Sequence, residues 1–264
     1  MMPYMRASAF QLGMWLSTLI WAPLSLLTFP LPPLWRYRFI TQWTRFNLWW
    51  LAVTCGLRYR VRGAERIPLQ PVVVLAKHQS TWETLALQRV LPPHTWVLKR
   101  DLLWIPFFGW ALALLQPIAI DRGSARRALR QVLEQGRARL RSGRFVVIFP
   151  EGTRVAPGHS RRFGAGGAQL ALEAGVSVLP VAHNAGTFWP RRQFVKRAGV
   201  IDVVIGPVIE TQGRSADAVT AQAEEWMAQT MRTLEAPSAG STPKAATRTM
   251  KPDRQRRARQ PQRR

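Results

Sequence analysis

Val72-Val73-Val74-Leu75-Ala76-Lys77-His78-Gln79-Ser80-Thr81-Trp82-Glu83 is an unbroken apolar run, then a polar turn, then a helix start. A short apolar run without alternation reads as a strand covered on both faces, since a half-exposed strand would show period two. Ser80-x-x-Glu83 is a capping-box pattern, so a helix is expected from Ser80 to Val90. A strand that passes through a loop into a helix is the repeating unit of α/β architecture.

The same punctuation recurs on both sides. Leu57 to Arg62, Thr95 to Leu98, Pro117 to Ile120, Arg144 to Phe149, Ser177 to Ala182 and Val200 to Ile205 read as further strands. Ser124 can cap a helix whose apolar residues Leu129, Val132, Leu133, Gly136 and Leu140 recur at helical spacing before Gly143. Gly166 to Ala174, stopped by Gly175, and Ala216 to Leu234 complete the helices. The expected fold class is α/β: a mixed, largely parallel sheet flanked by helices, spanning residues 57–235.

Residues 1–56 have a different character. No charged residue occurs from Ala7 to Trp35, more than the roughly 20 apolar residues needed to cross a bilayer. Pro23 lies inside this run and Pro30, Pro32 and Pro33 close it, so a hairpin, a kinked helix and an interfacial segment all fit alongside a straight span. Arg36 to Leu57 mixes Arg36, Arg38 and Arg45 with Trp43, Phe46, Trp49 and Trp50, the pattern of an aromatic, basic surface helix. The chain holds 12 tryptophans, six of them in these first 56 residues, where an indole suits the headgroup level. A membrane-associated helical region is expected, with the body on the cytoplasmic side of the inner membrane because those arginines follow the apolar run.

The formal charge of +24 favours anionic partners, either nucleic acid or acidic lipid, and the tryptophans favour lipid. Residues 236–264 carry nine Lys or Arg against one Asp and read as a disordered basic tail. Cys55 is the single cysteine, which excludes an internal disulfide and a Cys-ligated zinc site. Gly-x-Ser-x-Gly, Walker and complete Gly-x-Gly-x-x-Gly patterns are absent, and Gly164-Ala165-Gly166-Gly167 fails the last at Gln169.

Chemistry concentrates at two places. A neutral histidine can take a hydroxyl proton near pH 7 if a carboxylate fixes its tautomer and steadies the imidazolium, and His78 and Glu83 fit those roles. On one regular helix they would stand about 140° apart, so they meet only if His78 lies in the loop and Glu83 in the first turn. The capping box offers Glu83 a plainer occupation, tying down the helix start. Seventy residues on, the buried strand ends in Phe149-Pro150-Glu151-Gly152-Thr153-Arg154. Gly152 lets backbone approach a ligand, and Arg154 offers a planar fork matched to phosphate, each charge-assisted bond contributing about 1.5–3 kcal/mol. A solvated loop with an exposed arginine is the alternative there. His94, His159 and His183 have no carboxylate at comparable spacing and receive no role.

His78-x4-Glu83 followed by Phe149-Pro150-Glu151-Gly152-Thr153-Arg154 resembles the glycerophospholipid acyltransferase family. Lys99-Arg100-Asp101-Leu102-Leu103, Ile105-Pro106 to Gly109, Ile120-Asp121-Arg122 and Val178-Leu179-Pro180-Val181 fit it in the same order, between residues 60 and 210 or so. This chain departs from the family's usual Asn and Asp at Lys77 and Glu83. The resemblance implies a glycerol-3-phosphate acyltransferase-like sheet and transfer of an acyl group to the sn-2 hydroxyl of lysophosphatidate. The implied donor is acyl-CoA or acyl carrier protein, with membrane lipids as surroundings and neither cofactor nor metal. It implies His78 as base with Glu83 behind it, and Glu151, Gly152, Thr153 and Arg154 with Arg122 and Lys99 on the substrate phosphate. Arg161 and Arg162 are weaker additions to the same positive pocket. Two alternatives stay open: acylation of another lyso-lipid such as lyso-ornithine lipid, and a basic membrane-attached protein that binds nucleic acid or anionic lipid through its tail. The second leaves both motifs without a purpose, so no specific nucleic-acid partner is expected.

Overall fold

The computed structural model describes residues 1–121 and 123–236; Arg122 and the basic segment 237–264 lie outside the described residues. Seven strands form one sheet: β1 (Leu57–Arg62), β2 (Val73–Ala76), β3 (His94–Lys99), β4 (Ile118–Ile120), β5 (Phe145–Ile148), β6 (Val178–His183) and β7 (Gly199–Ile205). Their order is β1-β7-β6-β2-β5-β3-β4. The five strands from β6 to β4 are mutually parallel, and β7 meets β6 antiparallel with β1 parallel to β7. The sheet is thus mixed and largely parallel.

Nine α-helices are described: α1 (Met2–Leu26), α2 (Pro33–Ile40), α3 (Gln42–Cys55), α4 (Trp82–Val90), α5 (Phe108–Leu114), α6 (Ala125–Arg141), α7 (Gly166–Ala174), α8 (Ala185–Phe188) and α9 (Ala216–Glu235). Strand parity assigns them to layers. Val74 and Ala76 of β2 join a core with Phe10 of α1, Leu48 and Leu51 of α3 and Trp82 of α4. Val73 and Leu75 point the other way, toward Val132 of α6, Leu170 of α7 and Val219 of α9. Helices on both faces are why β2 carries no polar alternation. Ser124 caps α6 by accepting the Arg127 N–H, and Gly175 ends α7 in the left-handed region at φ +67.

The N-terminal region differs in detail from the expectation. α1 continues through Pro23, so the apolar run is one long helix, a turn and then α2. Arg36 to Leu57 is two helices that part at Thr41, and α3 is not merely a surface helix: Thr44, Asn47, Leu48, Leu51 and Cys55 are buried. Phe10 and α3 share the core of the sheet, so the change of composition near residue 56 is no break in packing. Gly13 makes the approach possible, since a Cβ there would fall 2.1 Å from Nε1 of Trp50, which donates to the Ala9 carbonyl. Asn47 Nδ2 donates to Ser17 Oγ across the same interface. The outward side of α1 stays apolar and exposed at Leu12, Trp15, Leu16, Leu19 and Ile20, and Trp104 and Phe107 just before α5 and Trp110 within it are exposed as well. Among the described residues α1 alone is long and apolar enough, by length and composition, to cross a bilayer.

Candidate active site

The parallel strands end at one edge of the sheet, where open α/β sheets gather ligands. β2 delivers Lys77 and His78, its neighbour β5 delivers Phe149 to Arg154, and β6 on its other side ends in His183. Two backbone bonds join the loops. The His78 N–H donates to Glu151 Oε2 at 3.0 Å, and the His78 carbonyl accepts from the Val155 N–H at 2.8 Å. The His78 ring stacks on Phe149 with centroids 4.1 Å apart. Backbone and ring are therefore held from the second motif.

Glu83 fixes the ring from behind. Its Oε1 lies 2.8 Å from His78 Nδ1 and also accepts the N–H groups of Gln79 at 2.9 Å and Ser80 at 2.7 Å. Capping and orienting are thus done by one oxygen, and the two readings of this residue coexist. With a carboxylate at Nδ1, the proton rests there and Nε2 is left as the acceptor. Burial acts to raise the pKa of Glu83, yet the His183 and His78 imidazoles and the Ser80 N–H outweigh it and hold the carboxyl below its ordinary range.

Glu151 corrects the expectation that it faces substrate phosphate. It is buried, ion-paired with the buried Lys77 and bonded to the His78 N–H, and a carboxylate beside phosphate would repel it. Lys77, which looked like a simple departure at the position before His78, is the partner that allows this carboxylate to be buried. Gly152 has φ +67, a backbone conformation that favours glycine, and a Cβ there would meet no protein atom within 4 Å. Thr153 Oγ1 is 3.4 Å from Arg191 Nη1. Lys99 is half-exposed and paired with Asp101, and Arg122 lies outside the described residues.

A cavity of about 970 Å³ begins at His78, Gly152, Arg154 and Lys99 and continues between α1, α3, α5 and α6. Met14, Thr18 and Trp21 of α1, Trp43 of α3, Leu112 of α5 and Leu129 of α6 are among its walls. Arg154 Nε is buried with no hydrogen-bond partner among the described residues, which leaves a donor available to an anion. Among the described residues no three His, Cys, Asp or Glu side chains gather as metal ligands.

An oriented histidine and a guanidinium at the head of an apolar cavity make up the arrangement of an enzyme's active site. Residues 58–184 match the family model described as Acyltransferase. A 1-acyl-sn-glycerol-3-phosphate acyltransferase of Pseudomonas aeruginosa is 48% identical over 231 residues, 86% of this chain and 90% of its own length. The alpha enzyme of that name from Ovis aries is 34% identical over 172 residues, 64% of this chain and 60% of its own. The crystal structure of the 1-acyl-sn-glycerophosphate acyltransferase from Thermotoga maritima shares the fold, with TM-score 0.75, 21% identity, and coverage of 89% of this chain and 97% of that one. This chain belongs to the acyltransferase family and is an acyltransferase.

Lys77, Phe149 and His183 are named in the sequence analysis without a role, and the structure places all three in contact with His78 or Glu83 or with what holds them. The position of His183 at the C-terminal end of a parallel strand was the one available signal for it.

Proposed function

We propose that this enzyme moves a fatty-acyl group from a thioester, acyl-CoA or acyl carrier protein, to the sn-2 hydroxyl of lysophosphatidate and yields phosphatidate. The observation that carries the reading is that His78, backed by Glu83, and Arg154 line one apolar cavity. The substrate phosphate sits on Arg154, with Arg122 and Lys99 as additional cations. Nε2 of His78 takes the hydroxyl proton as the oxygen attacks the thioester carbonyl, and Glu83 steadies the imidazolium. Collapse of the tetrahedral intermediate breaks the carbon–sulfur bond, and the thiolate takes the proton back from His78. No acyl-enzyme and no cofactor are required.

The acyl chain lies along the walls supplied by α1, α3 and α5, each buried methylene contributing about 0.8 kcal/mol. Ala7, Phe10, Ala22 and Ser25 pack α1 lengthwise on the body, which favours an interfacial helix over a straight span. Arg36, Arg38 and Arg45 favour the cytoplasmic face of the inner membrane.

A lyso-ornithine lipid O-acyltransferase of Pseudomonas aeruginosa is 37% identical over 140 residues, 52% of this chain and 53% of its own length, so that acceptor is the competing reading. An assay with defined lyso-lipids and both thioester donors, blanked with His78→Ala, decides. Turnover of lysophosphatidate above all other acceptors is expected. Preference for an acceptor without phosphate would overturn the assignment.

A further inference from the structure

Glu83 uses one oxygen three times and leaves the other, Oε2, without a hydrogen-bond partner among the described residues. Facing Oε2 at 4.0 Å is Nε2 of His183, and both side chains are fully buried. His183 Nε2–H donates to the Lys77 carbonyl at 2.8 Å, and its Nδ1 accepts the Ala185 N–H at 3.3 Å. Those two bonds set one neutral tautomer, with the proton on Nε2. The ring stands edge-on to Trp82, the residue before Glu83. A second histidine therefore touches the backbone that enters His78 and confronts the carboxylate behind it.

We propose that His183 is a positioning residue for acyl transfer, holding the Lys77–His78 backbone through the Lys77 carbonyl and setting the positive Nε2 side of its neutral ring 4.0 Å from Glu83 Oε2, so that the carboxylate stays ionised and aimed at His78. The proposal rests on the reading of His78 as the base. A buried carboxylate oxygen without a donor is costly, and a nearby N–H dipole offsets part of that cost. Neutrality matters too. A cation at this position would compete with the imidazolium of His78 for the charge of Glu83, whereas a neutral donor supports the carboxylate without competing. Burial holds the pKa of His183 below its ordinary 6.5 against the opposing pull of Glu83 and the Lys77 carbonyl. The charged and titratable groups around it are Glu83 on α4, Lys77 and His78 after β2, and Glu151 after β5, which is spent on Lys77. β7 places only Val203 opposite it.

The test uses the full chain in detergent, with whichever lyso-lipid the wild-type protein turns over. His183→Leu and His183→Gln are expected to lower kcat on the order of tenfold, the scale for losing an outer partner of a working histidine, with KM nearly unchanged. The acid limb of the kcat/KM profile is expected to move to lower pH, because a less supported carboxylate favours the imidazolium less. Adding His183→Leu to Glu83→Gln should cost less than His183→Leu costs in the wild type, because only the bond to the Lys77 carbonyl is then lost. A loss of activity with an unmoved acid limb, an additive loss in the Glu83→Gln background, or normal kcat in both variants would overturn the proposal. Should neither variant fold, nitrogen NMR of the wild-type histidines judges it: His183 is expected neutral with its proton on Nε2 across the neutral range, and a charged ring or the other tautomer sinks it. That arm needs no substrate, so an error about the acceptor appears in the lyso-lipid assay and an error about His183 appears here.

Discussion

His78 stands between two carboxylates that act on different parts of it: Glu151 holds its backbone N–H and Glu83 its ring. Replacing His78 by Ala is expected to lower turnover about 10²–10⁴-fold with lyso-lipid binding retained, measured by steady-state assay beside equilibrium binding. Normal turnover would remove it from the chemistry. Arg154→Lys keeps the charge and loses the fork, so KM for the phosphorylated acceptor should rise while KM for the thioester stays. Equal KM values in variant and wild type would place the phosphate elsewhere. Lys77→Met leaves Glu151 buried without its cation, which costs about 3–5 kcal/mol and should appear as a large fall in Tm. His78, Glu83 and Arg154 were legible because the distance between motifs and the chemistry of each side chain are written in the chain. The Lys77–Glu151 pair was not, since its partners are 74 positions apart and meet only because β2 lies beside β5.

At the scale of elements, α1 is the one whose role depends most on its neighbours. It closes the cavity with Met14, Thr18 and Trp21, and it reaches that position because Gly13 admits the indole of Trp50. Gly13→Leu should expel Trp50 and shift the wall, at a cost of about 1–3 kcal/mol for overpacking. Activity is expected to fall while binding to anionic vesicles persists, and wild-type activity with unchanged Tm would show that α1 and α3 are not closely packed. Sequence patterns located most strands and the capped helices within a residue or two. They missed α5, because Phe108-Gly109-Trp110-Ala111-Leu112-Ala113-Leu114 has no polar side from which a helical period can be read. The course of α1 through Pro23 was equally hidden, since a proline weakens a helix only when tertiary contacts do not hold it.

For the whole molecule, buried histidine links stability to pH. His94 is buried, and burial depresses its pKa from 6.5 to about 4 despite its contact with the Pro92 carbonyl. The unfolded chain therefore binds the proton more readily. Stability from this group is fully present above pH 6.5 and is lost as pH falls from there through about 4, on the order of 3 kcal/mol in all. Thermal melts between neutral and mildly acidic pH should show Tm falling for the wild type and falling less for His94→Gln. Parallel slopes in the two proteins would assign the acid sensitivity to other groups.

By itself the sequence determined the α/β alternation, the apolar N-terminal region and the residue types of the chemistry, because periodicity, capping and side-chain reactivity are local properties. Only the tertiary structure decided that Glu151 serves Lys77 and His78 instead of an anion, that His183 stands behind Glu83, and that α1 is a wall of the cavity. Those facts follow from strand order and from which buried charges become neighbours, and a burial pattern read along one chain cannot specify which strand lies next to which.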